Sequence, residues 1–202
     1  MIELEKKLML SKSEYDYILD CFGKDKPIIT QVNYYFDTED LSMNKEGITC
    51  RVRLKNGVYK GTIKKHTLNS DISTENEVKI QNGIYDNDFV EMGLQLQGEL
   101  VTERCYLLRN SICEVVLDKN NDLGYTDYEI EIEYSKDNES SANGIFKFFL
   151  DVISHMQSEN SKGIKSSDYC NGLSKSQRFF ELKCPKIHKV DKNLLNHNVK
   201  WR

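Results

Sequence analysis
What the sequence lacks narrows it first. No apolar run approaches the roughly 18 to 20 residues that a helix needs to cross a bilayer. The first residues are acidic and amphipathic, unlike a secretory signal. There is no basic excess: the formal net charge is −4 over 202 residues, so nothing marks a general nucleic-acid binder. None of the six cysteines (Cys21, Cys50, Cys105, Cys113, Cys170, Cys184) forms a Cys-x-x-Cys pair. They read as reduced, mostly buried thiols of a cytoplasmic protein, not as a disulfide framework or a thiolate metal site. The four histidines (His66, His155, His188, His197) have no metal-ligand spacing and are expected at the surface. No internal repeat or low-complexity tract is present. With 39% hydrophobic and 30% charged residues, the chain is wet for a globular protein but not of disordered composition. Its length fits one domain, or one domain with a helical appendage.

What is there is alternation. In Ile2-Glu3-Leu4-Glu5-Lys6-Lys7-Leu8, a strand puts Glu3, Glu5 and Lys7 on one face and Ile2, Leu4 and Leu8 on the other. Taken alone, this is an edge strand with a solvated face. The pattern recurs, however. Further strands are predicted at about 30–37, 48–55, 58–65, 73–80, 100–108, 112–118 and 126–134. Arg51, Arg53 and Lys55 oppose Cys50, Val52 and Leu54. Lys60, Thr62 and Lys64 share a face on the next strand, after an Asn56-Gly57 hairpin signal. Asp127, Glu129, Glu131 and Glu133 alternate with Tyr128, Ile130, Ile132 and Tyr134. Amphipathic helices are predicted at about 12–22, capped by Ser11 with Glu14, at 142–156, and at about 173–182. The stretch 120–124 reads as a turn cluster, and the basic tail 184–202 as loosely docked.

Eight strands with mostly short connections predict an antiparallel sheet, closed into a barrel. The charged faces then lie either on an outer skin or in a polar lumen. The apolar faces favour the lumen. Nearly every strand carries Ile, Val, Leu, Tyr or Phe that needs burial, and the amphipathic helices need a partner. Helices on the outside satisfy both and leave the charges inside. Buried charge is costly unless paired or metal-bound. A basic half (Arg51, Arg53, Lys64, Arg104) suits a polyanion such as a triphosphate. An acidic half (Glu3, Glu5, Glu77, Asp118, Glu129, Glu131) suits Mg²⁺ or Mn²⁺.

These residues resemble the CYTH family, the triphosphate tunnel metalloenzymes. The resemblance runs through Glu3-Leu4-Glu5-Lys6-Lys7, Tyr35-Phe36-Asp37-Thr38, Arg51-Val52-Arg53-Leu54-Lys55, Thr62-Ile63-Lys64, Glu75-Asn76-Glu77 and Arg104. It continues through Leu117-Asp118, Asp127-Tyr128-Glu129-Ile130-Glu131 and Leu173-Ser174-Lys175, covering about residues 1–180. It implies an α+β fold: an eight-stranded antiparallel closed tunnel with helices outside, a domain over 1–183 and a tail over 184–202. It further implies a divalent-metal-dependent hydrolase of a triphosphate, using Mg²⁺ or Mn²⁺ as two ions. Lys7, Arg51, Arg53, Lys64, Arg104 and Lys175 would grip the phosphates, with Lys7, Lys64 and Tyr35 nearest the chemistry. Glu3, Glu5, Asp118, Glu129 and Glu131 would hold metal, with Glu77 assisting.

Alternatives stay open at several positions. Glu75, Glu114 and Glu133 add carboxylates on the same faces. Parity favours Lys64 over Lys65. Tyr35 reads either as a wall residue or as an aid to proton transfer, and Asp37 as a turn-starting residue. The role of Lys175 rests on the resemblance alone. Phe146, Phe148, Phe149, Phe179 and Phe180 read as helix packing. Inorganic triphosphate is the preferred substrate, with thiamine triphosphate and nucleoside triphosphates next. An adenylate cyclase on the same fold, and a non-catalytic polyphosphate or nucleotide binder, are the competing functions. No nucleic-acid or membrane partner is expected, and a homodimer through the outer apolar surface is left open.

Overall fold
Strand alternation does close a barrel. The computed structural model describes residues 2–66, 72–80, 83–85, 88–159 and 173–183. The expectations for 67–71, 160–167, the tail 184–202, Cys170, Cys184, His188 and His197 lie outside the described residues. The strands are β1 (Ile2–Leu10), β2 (Ile28–Asp37), β3 (Ile48–Lys55), β4 (Val58–His66), β5 (Ile72–Val78), β6 (Gln95–Arg109), β7 (Cys113–Asp122) and β8 (Tyr125–Tyr134). They form a closed barrel in the order β1-β5-β4-β3-β2-β6-β7-β8, with every neighbour antiparallel. Closure leaves no strand edge unpaired.

The helices are α1 (Lys12–Ile18), α2 (Ser42–Lys45), α3 (Asp88–Glu91), α4 (Glu139–Glu159) and α5 (Lys175–Lys183). The capping box of α1 is present: Ser11 Oγ accepts from the Glu14 N–H at 3.3 Å, and Glu14 accepts from the Ser11 N–H at 2.7 Å. The helix does not continue to residue 22. A π-helical turn, Leu19–Gly23, follows it. Gly23 is needed there for close approach, since a Cβ would lie 2.8 Å from Leu19 Cδ1 and 3.0 Å from Cys105 Sγ.

Among the described residues, apolar clusters cover the outside of the barrel. One joins Leu8, Leu10, Cys105, Cys113, Val115, Leu117, Ile130 and Ile132 from β1 and β6–β8 to Tyr15, Ile18, Ala142, Phe149 and Ile153 from α1 and α4. Another joins Phe36, Cys50 and Val52 to Phe89 and Leu94. Burying a core side chain of this kind contributes roughly 1.5–3 kcal/mol, so these faces settle which side of each strand points outward. α1 and α4 thus pack on the outside of the barrel, where their amphipathic patterns placed them.

Several boundaries differ from the sequence expectation. β7 runs on to Asp122, through most of the predicted turn cluster. The reversal needs only Leu123 and Gly124, both in the left-handed region at φ 41° and 83°. A leucine is an unusual first residue for such a hairpin, which hid it. The Asn56-Gly57 turn has φ of 51° and 76°, as its composition predicted. β6 begins at Gln95, five residues earlier than expected, and carries two register shifts. The segment 38–46 contains α2, capped by Asp37, whose carboxylate accepts from the Thr38, Met43 and Asn44 N–H groups at 2.7–2.9 Å. His66 is not a surface loop residue. It ends β4, half-buried on the lumen-facing parity, where burial and then the Lys64 charge push its pKa down to about 4. Of the described cysteines, Cys50, Cys105 and Cys113 are buried and Cys21 is exposed, all as free thiols. Among the described residues no helix is long and apolar enough to cross a membrane.

The chain divides into two compact units, Met1–Gly172 and Leu173–Arg202. The barrel is the first. In the second, α5 is capped by Ser174, which accepts from the Gln177 N–H at 3.3 Å, and Phe179 and Phe180 meet edge to face.

Candidate active site in the barrel bore
Period-two alternation carries one side chain in two to the inside of each strand. Antiparallel register then decides which inside residues meet. β1 and β8 pair Lys7 with Glu131 and Glu5 with Glu133; β6 and β7 pair Arg104 with Asp118; β4 and β5 pair Lys64 with Glu75. The result is a chain of alternating charge. Lys64 Nζ lies 3.0 Å from Glu3 and 3.3 Å from Glu5. Lys7 Nζ lies 3.5 Å from Glu5, 3.3 Å from Glu131 and 3.8 Å from Glu129. Arg104 grips Asp118 through two bonds of 2.9 and 2.6 Å and reaches Glu131 at 2.9 Å. Eight of the predicted residues (Glu3, Glu5, Lys7, Lys64, Arg104, Asp118, Glu129, Glu131) are therefore one connected set.

The electrostatics follow from that connection. Burial works against the Lys64 ammonium, but the Glu5 and Glu3 carboxylates outweigh it and raise its pKa. Burial also opposes the Arg104 cation, and Asp118 and Glu131 hold its pKa well above the ordinary value. Glu133, which the sequence left undecided, is pushed up to about 6, first by burial and then by the Glu131 charge.

Arg53 is different. Its Nε donates to Asn33 Oδ1 at 2.8 Å, and among the described residues no carboxylate lies within 4 Å of it. Burial, then the neighbouring Arg51 and Arg104 charges, pull its pKa down to about 9. Arg51 has Glu75 at 3.5 Å and Thr62 Oγ1 at 3.3 Å. Tyr35 is buried on the same face of β2, opposite Arg51 in register.

Tyr35, Arg51 and Arg53 stand beside this set, and Glu77 is turned away from it. Glu77 shares a face with Glu75, but its side chain is 76% exposed at the barrel rim, 2.8 Å from Lys60. Lys175 belongs to the second unit, at the first position of α5. Sequence reasoning also missed a polar layer. Gln31, Asn33, Thr102 and Asn120 are all buried on the lumen side. Asn120 donates to Glu129 and to Asp127, each at 2.8 Å, and accepts from Thr102 at 2.8 Å. The signal was available, since each shares parity with a charged residue of its own strand, but uncharged residues on a charged face draw no notice.

The donor set is all oxygen, the chemistry that hard divalent cations prefer. The carboxylates of Glu5, Glu129 and Glu131 already surround one positive charge, the Lys7 ammonium. As they stand, the described residues contain no group of three or more acidic, histidine or cysteine side chains spaced to hold a metal ion. The residues fit a cation by donor type and by their gathering about Lys7, with the lysine now in its place.

The CYTH domain family model matches residues 1–164, most of the chain and the whole of the barrel. The chain belongs to the CYTH family. This CYTH chain is 29% identical, over 147 residues, to YjbK, a candidate triphosphatase of Bacillus subtilis (strain 168), covering 65% of this chain and 77% of the relative. Among solved structures it resembles bh2851 of Bacillus halodurans, a candidate adenylate cyclase, with TM-score 0.63 and 22% identity over 88% of this chain and 97% of that one. It also resembles HpAC1 of Hippeastrum, a candidate adenylyl cyclase described as having a dominant triphosphatase activity, with TM-score 0.55 and 17% identity over 74% of this chain and 86% of that one. At these identities the structural likenesses speak for the fold.

Proposed function
We propose that this CYTH chain is a divalent-metal-dependent triphosphatase whose substrate lies in the barrel bore, with inorganic triphosphate as the preferred substrate. The observation that carries the reading is the state of Arg53. It is a lumen guanidinium with two arginine neighbours and no carboxylate within 4 Å among the described residues. A cation held so unfavourably wants an anion. A polyphosphate supplies several charges, enough for Arg53 and its neighbour Arg51 and for the Lys7 and Lys64 ammoniums of the same bore. The candidate triphosphatase assignment of YjbK supports the same reading.

The residues divide the work as follows. Lys7, Lys64, Arg51, Arg53 and Arg104 bind the phosphoryl oxygens and take up charge as it spreads over the transferred group. Lys7 and Lys64 leave their carboxylate partners to do so, and Glu3, Glu5, Glu129 and Glu131 are then free to hold Mg²⁺ or Mn²⁺, with Asp118 alongside. The cation supplies Lewis-acid neutralisation of phosphate charge. Arg104, tied to Asp118 and Glu131, positions those carboxylates as much as it binds substrate.

The test is phosphate release from tripolyphosphate, thiamine triphosphate and ATP with Mg²⁺ or Mn²⁺, with cyclic AMP measured in parallel. Phosphate from tripolyphosphate, lost on chelation, is the expected result. Cyclic AMP and pyrophosphate from ATP would convict the cyclase reading instead, and binding without turnover would leave only a sensor.

A further inference from the structure
The bore contains a feature that the charged residues do not explain. Gln31 and Asn33 stand two apart on the lumen face of β2, with 1% and 0% of their surface exposed. Neither the Nε2 nor the Oε1 of Gln31 has a hydrogen-bond partner among the described residues. Thr102, its register neighbour on β6, gives its proton to Asn120. Asn33 uses Oδ1 to accept from Arg53, which fixes the orientation of the amide. Its Nδ2, a group that can only donate, has no partner. Folded proteins satisfy about nine in ten buried polar groups, so two unmet carboxamides on one strand call for a ligand.

We propose that Gln31 and Asn33 form, together with Arg53, the seat of the substrate's terminal phosphoryl group. The proposal rests on the triphosphatase reading of the bore. Asn33 Nδ2, Gln31 Nε2 and the Arg53 guanidinium supply donors from adjacent positions on β2 and β3, where Asn33 and Arg53 are opposed in register and Gln31 lies one lumen position along. Such a set selects an anion, and the guanidinium excludes a metal cation. The carboxylates on the facing strands do not compete, because Asp118 is held by Arg104 and Glu129 by Asn120. Neutral donors suit this place for an electrostatic reason. The Arg51 and Arg104 charges already disfavour the Arg53 cation, and a further lysine would add repulsion where an amide adds only a hydrogen bond. Gln31 also offers an acceptor, Oε1. Only the terminal phosphoryl of a polyphosphate carries an oxygen that is protonated near neutral pH, so a mixed donor and acceptor pair matches the end of the chain and not a bridging unit.

The experiment compares wild type with Gln31→Leu and Gln31→Met, which keep side-chain volume and remove both polar atoms. KM is measured for tripolyphosphate and for ATP with Mg²⁺, and the urea midpoint is measured without ligand. The expected result is a rise in KM of about tenfold, equal for both substrates because both end in the same unesterified phosphoryl, with a urea midpoint unchanged or raised. A midpoint that holds while KM rises distinguishes a ligand seat from a structural amide. If the wild type releases phosphate and both variants keep KM within about twofold, the seat is wrong while the triphosphatase reading stands. A loss confined to ATP would place the nucleoside there and overturn the terminal assignment. A wild type that releases no phosphate from either substrate overturns the triphosphatase reading and the seat with it.

Discussion

Two arginines on neighbouring parts of the bore look alike in the sequence and should behave oppositely when removed. Arg104 makes three bonds of 2.6–2.9 Å to Asp118 and Glu131, with Asp118 fully buried. Replacing it by Met removes both of its bonds from buried Asp118 and leaves Glu131 to Lys7, which costs about 3–5 kcal/mol. Arg53 has one bond to a neutral amide and no carboxylate partner among the described residues. Its pKa falls from 12.5 to about 9. At about 1.4 kcal/mol per pH unit, that sets an upper bound of about 5 kcal/mol on what its charge costs the fold. The group is only half-buried, so water lowers this to about 1–2 kcal/mol. Losing the Asn33 bond offsets about 1 kcal/mol of it. Arg53→Met should therefore shift stability by about 1 kcal/mol or less, toward gain, while Arg104→Met loses several. The folded chain gives up the Arg53 proton more readily than the unfolded chain, so wild-type stability carries a contribution that grows above pH 9 or so and that the Arg53→Met variant lacks. Urea unfolding of both variants at pH 7.5 reads the difference, and a tripolyphosphate titration should show weakened binding for each. An Arg53→Met variant destabilised as much as Arg104→Met would mean that Arg53 serves the fold, and the anion-site argument would fail.

Glu133 gives a pH signature. Its pKa is raised to about 6 from a usual 4.5, so the folded chain holds the proton more tightly and stability present at low pH is lost between about pH 4.5 and 6. Glu133→Gln should flatten that decline and gain about 1–2 kcal/mol at pH 7, read from urea midpoints at pH 5 and pH 7; an unchanged profile would refute the burial and Glu131 origin of the shift. Glu5 and Glu77 share the sequence pattern but not the site. Glu5→Gln, lying between Lys7 and Lys64, should lower turnover by about a hundredfold or more, whereas Glu77→Gln at the exposed rim should leave it within about twofold; equal losses in a phosphate-release assay would return Glu77 to the metal set.

The parity rule explains how much was legible beforehand. A side chain's face depends only on whether its number is odd or even along a strand, and the alternation in Asp127–Tyr134 or Arg51–Lys55 is visible without any structure. Which charges meet is not, because that depends on shear and register between strands far apart in sequence. The meeting of Lys64 with Glu5, 59 residues away, needed the closed barrel. Glu77 shows the limit of parity. It has the right face, but it sits near the end of β5, where the same face opens to solvent. Asp37 shows another: its place before a turn was readable, while its role as the cap of α2 required the left-handed Leu41 that swings the chain back over it. His66 was misplaced because β4 extends one residue past its last lysine, and a lone histidine beside a polar loop gives no sign of which state it joins.

The bore also explains why so charged an interior is tolerated at all. An ion pair in a dry core gains little over an apolar pair, because desolvation offsets the attraction. Here most of the charges are shared: Glu5 serves Lys7 and Lys64, and Glu131 serves Lys7 and Arg104. Sharing lets Lys7 swing onto a phosphate while Glu131 keeps Arg104, whereas Glu5, both of whose lysines would leave, would pass to the metal ion. The places where sharing stops are Arg53, with only an amide, and Gln31, with no partner among the described residues. Gln31 lies one lumen position along β2 from Asn33, the register partner of Arg53. Of the buried groups that lack a partner among the described residues, Gln31, Asn33 and Arg51 Nε lie together on β2 and β3 beside Arg53, and Ser73 stands apart on β5; the cluster marks the spot where an anion completes the network.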